Sequence, residues 1–192
     1  MMNKKEKIVH AAIEVFREKG IEKTKISDIV KIANIAQGTF YLYFPSKLSV
    51  MPAIAEVMVE KTITAVKNEV QEGAAFTVKL TQVIDAIFKI TCDYREILAL
   101  IYAGMGSTEH IKEWETVYEP FYSWISQFLN EAKSSGVIRD SIHVERTSKL
   151  FIGLVESAAE QVYLYDSKQD DQASIQKAEV LEFLKYGLGI QE

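Results

Sequence analysis

The sequence predicts an all-α protein of about nine helices. Apolar residues recur near the 3.6-residue period almost throughout the 192 positions. Only three prolines interrupt that pattern, and the glycine-containing breaks are short. No internal repeat or low-complexity tract is visible. With 48% hydrophobic residues the chain can fill one large or two small cores. Its single cysteine, Cys92, excludes an intramolecular disulfide. The amino-terminal MMNKKEKIVHAA has no apolar region of signal-peptide length, and no run of 18 apolar residues occurs. A soluble, cytoplasmic protein without a membrane partner is therefore expected.

The first helix spans about Lys4 to Lys19, with Ile8, Ala12, Val15 and Phe16 as its buried stripe. Gly20 ends it as a left-handed cap. Thr24 is placed to cap the second helix. Ile26, Ile29, Val30 and Ala33 then give that helix one apolar face. Asn34 tolerates a left-handed backbone, so it can end the second helix and start a tight turn, with Ile35 tucked beneath. A third helix follows from about Ala36 to Tyr43. Phe40 and Phe44 lie four apart and face inward, while Gln37, Gly38 and Tyr41 point away, flanked by Thr39 and Tyr43. Pro45 stops the helix. A short polar and aromatic face with hydrogen-bond donors suits a major groove, which admits a helix and displays base edges.

Residues 4 to about 60 closely resemble the helix-turn-helix of the tetracycline-repressor (TetR) family of bacterial transcriptional regulators. The carriers are the amphipathic KIVHAAIEVFREKG, then T-x-x-S-D-I, then Q-G-T-F-Y-L-Y-F-P-S-K. Two positions depart from the family's habit. Asn34 stands where Gly is common and keeps the turn chemistry. Ala36 stands where Ser or Thr is frequent and gives up a side-chain cap, at roughly 1 kcal/mol. The resemblance implies a DNA-binding part at residues 1–47 and a helical ligand-binding and dimerisation part at 48–192. It also implies roles. Gln37 would read a base, its amide pairing with adenine. Gly38 would let the helix approach closely, and Thr39 would touch a thymine methyl or a phosphate. Tyr41, Tyr43 and Lys47 would hold the phosphate backbone. Thr24 and Ser27 are candidates for phosphate contacts at the start of the second helix, although Thr24 as a simple cap stays open.

The fourth helix begins near Ser46 or Ser49 and runs to about Glu72. If Ser49 is the cap, Pro52 falls in the first turn and costs little. If Ser46 is the cap, Pro52 should kink the helix. Gly73-Ala74-Ala75 breaks the pattern. A fifth helix, about Phe76 to Cys92, is apolar on a wide face through Leu80, Val83, Ile84, Ile87 and Phe88. The sixth runs from about Tyr94 to Ala103 and stops at Gly104-Met105-Gly106. That G-x-G lacks the strand and third glycine of a dinucleotide loop. The seventh, about Thr108 to Lys133, is the richest in aromatics, and Pro120 should bend it. Its rings read either as core or as the wall of a pocket. The candidate effector-binding residues are Phe88, Tyr102, Trp114, Tyr118, Phe121, Tyr122, Phe151 and Val155. The eighth helix, about Val144 to Tyr165, carries Glu156 and Glu160 one turn apart. Either could reach a polar ligand group, although solvated or ion-paired carboxylates are the simpler reading.

The ninth helix, about Gln172 to Tyr186, is apolar on two sides. Ile175, Ala178, Leu181, Leu184 and Leu188 form one stripe, and Val180 and Phe183 another. Two apolar faces need two partners. The resemblance supplies the second: a homodimer through the last two helices of each chain, with Gly153, Ser157, Val180 and Phe183 at the interface. A two-fold dimer suits a near-palindromic operator.

Charge is unevenly placed. Residues 1–48 hold nine Lys and Arg against five acids, a net of +4, which leaves −9 on the rest of a chain of net charge −5. A basic head suits a partner rich in phosphate. The histidines His10, His110 and His143 lack metal spacing, and no nucleophile elbow, P-loop or zinc-protease motif occurs. No catalytic residue, metal or cofactor is therefore assigned. Together the sequence and the resemblance imply a homodimeric regulator of double-stranded DNA, a repressor by preference. It would be released by a small apolar or amphipathic effector such as an acyl thioester, an aromatic compound or a lipophilic drug. The alternative is a small-molecule carrier or enzyme whose helix-turn-helix is incidental.

Overall fold

The computed structural model describes residues 2–104, 111–165 and 170–190, and for residues 102–104, 111–114, 170 and 171 the backbone alone. Its elements are α1 (Lys4–Lys19), α2 (Ile26–Ala33), α3 (Gln37–Tyr43), α4 (Met51–Glu69), α5 (Phe76–Asp93), α6 (Arg95–Gly104), α7 (Ile111–Ser134), α8 (Val144–Glu160) and α9 (Asp170–Leu188). Among the described residues there is no strand. The all-α expectation holds. The chain forms two compact units. The first contains α1–α3, α4 as far as Met58, and α6; the second contains the rest of α4, α5 and α7–α9.

In the first unit α1 packs on α2, and α2 on α3. Helix α1 opens with a full capping box: the Asn3 carboxamide oxygen accepts from the Glu6 N–H at 2.9 Å, and the Glu6 carboxylate accepts from the Asn3 N–H at 2.9 Å. Gly20, at φ 73°, closes it. Ile8, Ala12, Phe16, Ile29, Val30 and Phe40 fill the core.

The cap of α2 corrects the expectation. Its N-cap is Lys25, not Thr24. Thr24 is buried, and its hydroxyl donates to the Gly20 carbonyl at 2.7 Å. A threonine hydroxyl can satisfy a carbonyl four residues back as readily as it caps a helix. Asp28 caps instead, accepting from the Lys25 N–H at 3.0 Å and from Lys19 Nζ at 3.0 Å. The Lys25 N–H, and then Lys19, hold the Asp28 carboxyl below the usual carboxylate range.

The entry to α4 follows neither sequence alternative outright. Ser46 and Ser49 cap each other: the Ser46 N–H donates to Ser49 Oγ at 3.0 Å, and the Ser49 N–H to Ser46 Oγ at 3.2 Å. One 3-10 turn, Leu48–Val50, precedes the helix. Pro52 is thereby the second residue of α4, and the Leu48 carbonyl four residues before it is already taken by the Met51 N–H.

The core of the second unit is formed by α5 packed on α8 and α9, with α7 alongside. Phe88, Phe121, Phe151 and Val155 are buried in it. Helix α7 continues through Pro120 without interruption. Helix α8 ends at Glu160 and passes into a π turn, Gln161–Tyr165, shorter as an α-helix than the sequence predicts. Helix α9 also departs from its expected stripes. Val180, Leu184 and Leu188 turn into the core, whereas Ile175 and Phe183 are exposed. Val180 is thus corrected: it packs within its own chain and is not on an outer face. Helix α6 reaches Gly104, the first residue of the expected Gly104-Met105-Gly106 stop, and the other two lie outside the described residues.

Candidate nucleic-acid interface

A two-helix corner presents α3. Asn34 sits at φ 52°, ψ 53°, the one left-handed non-glycine among the described residues. Its N–H reaches the Val30 and Lys31 carbonyls, and the Ile35 N–H donates to the Val30 carbonyl at 3.1 Å. These bonds satisfy the open end of α2 and reverse the chain within three residues. Ala36 caps α3 with no side-chain bond, as its lack of a hydroxyl requires.

Phe40 and Phe44 hold α3 down, both buried with ring centroids 5.8 Å apart. The opposite side is open. Gln37 and Gly38 are exposed, Thr39 is half-exposed, and Tyr41 and Tyr43 are exposed. The Tyr41 ring stands edge-on to Phe40 at 5.7 Å, which fixes where its hydroxyl is carried. A Cβ added at Gly38 would meet nothing within 4 Å, so this glycine leaves space for something outside the chain rather than for internal packing. Ser27, in the first turn of α2, is also exposed. Gln37, Gly38, Thr39, Tyr41, Tyr43 and Ser27 are thus all open to a partner.

Thr24 and Lys47 have different surroundings. The Thr24 hydroxyl is buried and already bonded to Gly20, so it is not presented to a phosphate. Lys47 is half-buried, and its ammonium donates to the carbonyls of Ile21 and of Thr24, the latter at 2.9 Å. It therefore fastens the α1–α2 turn to the segment after α3. Sequence reading missed this clamp because the acceptors are backbone carbonyls more than twenty positions away. Leu42, 82% exposed on α3, was also missed. The helical spacing that turns Phe40 and Phe44 inward is the signal that could have found it.

In the second unit, α7 and α8 bring polar groups together. The Tyr118 hydroxyl lies 3.0 Å from both Glu156 carboxylate oxygens. Tyr118 and Tyr122 rings are 5.7 Å apart, Lys149 Nζ lies 5.0 Å from the Tyr122 ring, and Lys149 pairs with Glu115. Burial pushes the Glu156 carboxyl up to about 8; the Tyr118 hydrogen bond opposes this and neighbouring Glu160 adds to it. Desolvation also raises the half-buried Tyr122 phenol, with Glu115 and Glu156 adding to it. Phe88, Tyr118, Phe121, Phe151 and Val155 are packed in the core, with Tyr122 against it. The side chains of Tyr102 and Trp114 lie outside the described residues. Gly153 and Ser157 are exposed along α8, as is Phe183 on α9. No cluster able to hold a metal occurs among the described residues, and none of the helices there is long and apolar enough to cross a membrane.

A three-helix head with an open recognition helix, followed by a larger helical unit, defines a helix-turn-helix DNA-binding protein. The model for bacterial regulatory proteins of the tetR family matches residues 8–54, and that for a tetracyclin repressor-like C-terminal domain matches residues 80–188. The chain belongs to the TetR family and is a DNA-binding transcriptional regulator. It is 41% identical over 186 residues to the HTH-type transcriptional regulator YvdT of Bacillus subtilis, across 97% of this chain and 95% of that protein. It is 25% identical over 168 residues to the fatty acid metabolism regulator protein of the same organism, across 85% of each. The transcriptional regulator FadR from Bacillus subtilis, solved with stearoyl-CoA, has the same fold, at a TM-score of 0.71 and 23% identity over 93% of this chain and 96% of that one.

Proposed function

We propose that the chain is a homodimeric repressor that reads a near-palindromic operator and leaves it when an amphipathic effector binds the helical body. The observation that carries DNA reading is the open face of α3, held by two buried phenylalanines, with Gln37 exposed and nothing within 4 Å of where a side chain at Gly38 would begin. Gln37 reads a base and Gly38 allows close approach. Thr39, Tyr41, Tyr43 and Ser27 position the head on the backbone. Residues 1–47 serve DNA, and 48–192 serve the effector and the dimer.

Dimerisation is supported by the outer apolar residues of the last two helices. Leu150 is 73% exposed, Phe183 67% and Tyr186 83%, beside the small Gly153 and Ser157. Large apolar side chains left exposed on two helices that pack together are disfavoured in water and favour a second subunit. Phe183, Gly153 and Ser157 belong to that interface. The aromatic side chains around Phe88, Phe121 and Phe151 support a largely apolar effector, with Tyr118, Tyr122 and Glu156 meeting a polar end. The stearoyl-CoA seen with FadR makes a long-chain acyl thioester the first compound to test. It acts by binding the state with badly spaced recognition helices more tightly than the DNA-competent state.

The test is fluorescence anisotropy of the purified protein on the duplex upstream of its own gene, at two salt concentrations, with and without stearoyl-CoA. Salt-sensitive binding of two subunits per site, reversed by stearoyl-CoA, supports the whole reading. Binding unaffected by the thioester retains the DNA part and refutes this effector class. No preference for that duplex, or for any duplex selected from a random pool, refutes operator reading.

A further inference from the structure

We propose that Leu42 is a specificity-determining residue that reads the C5-methyl group of a thymine in the operator. The inference rests on the DNA reading above. At 3.6 residues per turn, Leu42 points about 180° away from the mean direction of the anchoring rings Phe40 and Phe44. It is the side chain of α3 most directly opposed to the core, and it is 82% exposed. Tyr41 sits on one flank of that direction and Tyr43 on the other, each about 100° away, whereas Gln37 lies in the first turn, nearer the side of the anchoring rings. A single exposed leucine is ordinary on a protein surface. This one occupies the leading edge of the helix that enters the groove.

What lies beside it matters as much. A helical leucine leans toward the residue four before it, which here is Gly38. Gly38 has no side chain, and nothing stands within 4 Å of where one would begin. Leu42 and the bare backbone at Gly38 therefore make one apolar spot on the exposed side of α3. Leucine has no donor or acceptor, so it cannot pair with base nitrogens or oxygens. Presented to a base pair's nitrogens and oxygens it would leave them dehydrated and unpaired, a strong bias against most steps. Among the four bases the one apolar group on the major-groove edge is the thymine methyl. The excess of basic residues over acids in the first 48 positions draws the same end of the chain to the duplex.

The measurement uses the full-length protein and a duplex obtained by selection from a random-sequence pool. Each thymine of one half-site is replaced in turn by uracil, which removes only the methyl group. Wild type should lose about fourfold in affinity at one thymine, the effect of leaving one methyl unburied. Leu42→Ala should bind more weakly overall and lose its response to uracil at that position. Gln37→Ala should keep the response while changing its preferred sequence. Leu42 is exposed, so the variant's melting curve should match wild type. Indifference of wild type to every uracil, or a Leu42→Ala variant that still responds, would overturn the assignment. A pool that yields no preferred duplex would overturn operator reading itself, before any uracil duplex is made.

Discussion

Lys47→Met tests whether this lysine builds the head or merely touches DNA. Methionine keeps most of the apolar stem and removes all three donors. In the free protein those donors reach the Ile21 and Thr24 carbonyls. A hydrogen bond from a charged donor contributes about 1.5–3 kcal/mol when well buried. Here the ammonium is half-buried, and water replaces part of what is lost, so the expected cost for both bonds together is about 2 kcal/mol. In a chain of this length that lowers the melting midpoint by about 4–8 °C. The assay is thermal unfolding of the unliganded protein followed by circular dichroism. Operator affinity should fall on every duplex, because the loosened turn carries the start of α2 with it. A direct phosphate contact would also lower the slope of log affinity against log salt by about 0.9 per lysine. If Lys47→Met melts with wild type and loses only salt slope, the clamp has no energetic weight and the reasoning fails.

Glu156→Gln should be stabilising in a pH-dependent way. The folded carboxyl titrates near 8 against 4.5 for the ordinary group, so the unfolded chain ionises first and stability falls between those values. Full burial would set the cost at about 5 kcal/mol, and the half-buried carboxyl should feel about 2. The variant should therefore gain about 2 kcal/mol over wild type at pH 8 and nothing from this source at pH 4.5; equal offsets at both pH values in denaturant melts would contradict this. Gly38→Ala should leave folding unchanged or improve it by up to about 1 kcal/mol, since alanine is the better helix former. Its operator affinity should fall nonetheless, and retention of full affinity would show that close approach at this position is unnecessary. Asn34→Ala should cost about 1–2 kcal/mol by forcing a left-handed alanine, while Asn34→Gly should melt at or above wild type. Urea titration of the pair decides whether the turn's backbone conformation or the carboxamide matters.

The head was legible where local chemistry fixes the backbone. Gly20, Asn34 and Pro45 mark their turns in sequence, and Phe40 with Phe44 marks the inner side of α3. Reading failed where one side chain had two local uses. Thr24 could cap α2 or bond back to Gly20, and only the path of the α1–α2 turn chooses. It failed again on α9, which carries apolar residues on most sides. Val180 and Ile175 are equivalent by composition, and the positions of α5 and α8 decide that the first is buried and the second open. Lys47 was legible as a cation but not as a clamp, because its acceptors carry no sequence signal.

Two rings anchor α3, and this has an evolutionary consequence. Gln37, Gly38 and Leu42 carry none of the helix's burial, so a codon change there costs folding little, within about 0.5 kcal/mol for an ordinary surface position and about 1 kcal/mol at the glycine. After a gene duplication, one copy could drift to a new operator by single steps, each yielding a folded and soluble intermediate. The same separation does not extend to Lys47 or Thr24, where a change meant to alter DNA contact would loosen the scaffold. Divergence among relatives should therefore concentrate on the outer face of α3 and spare the residues that brace it.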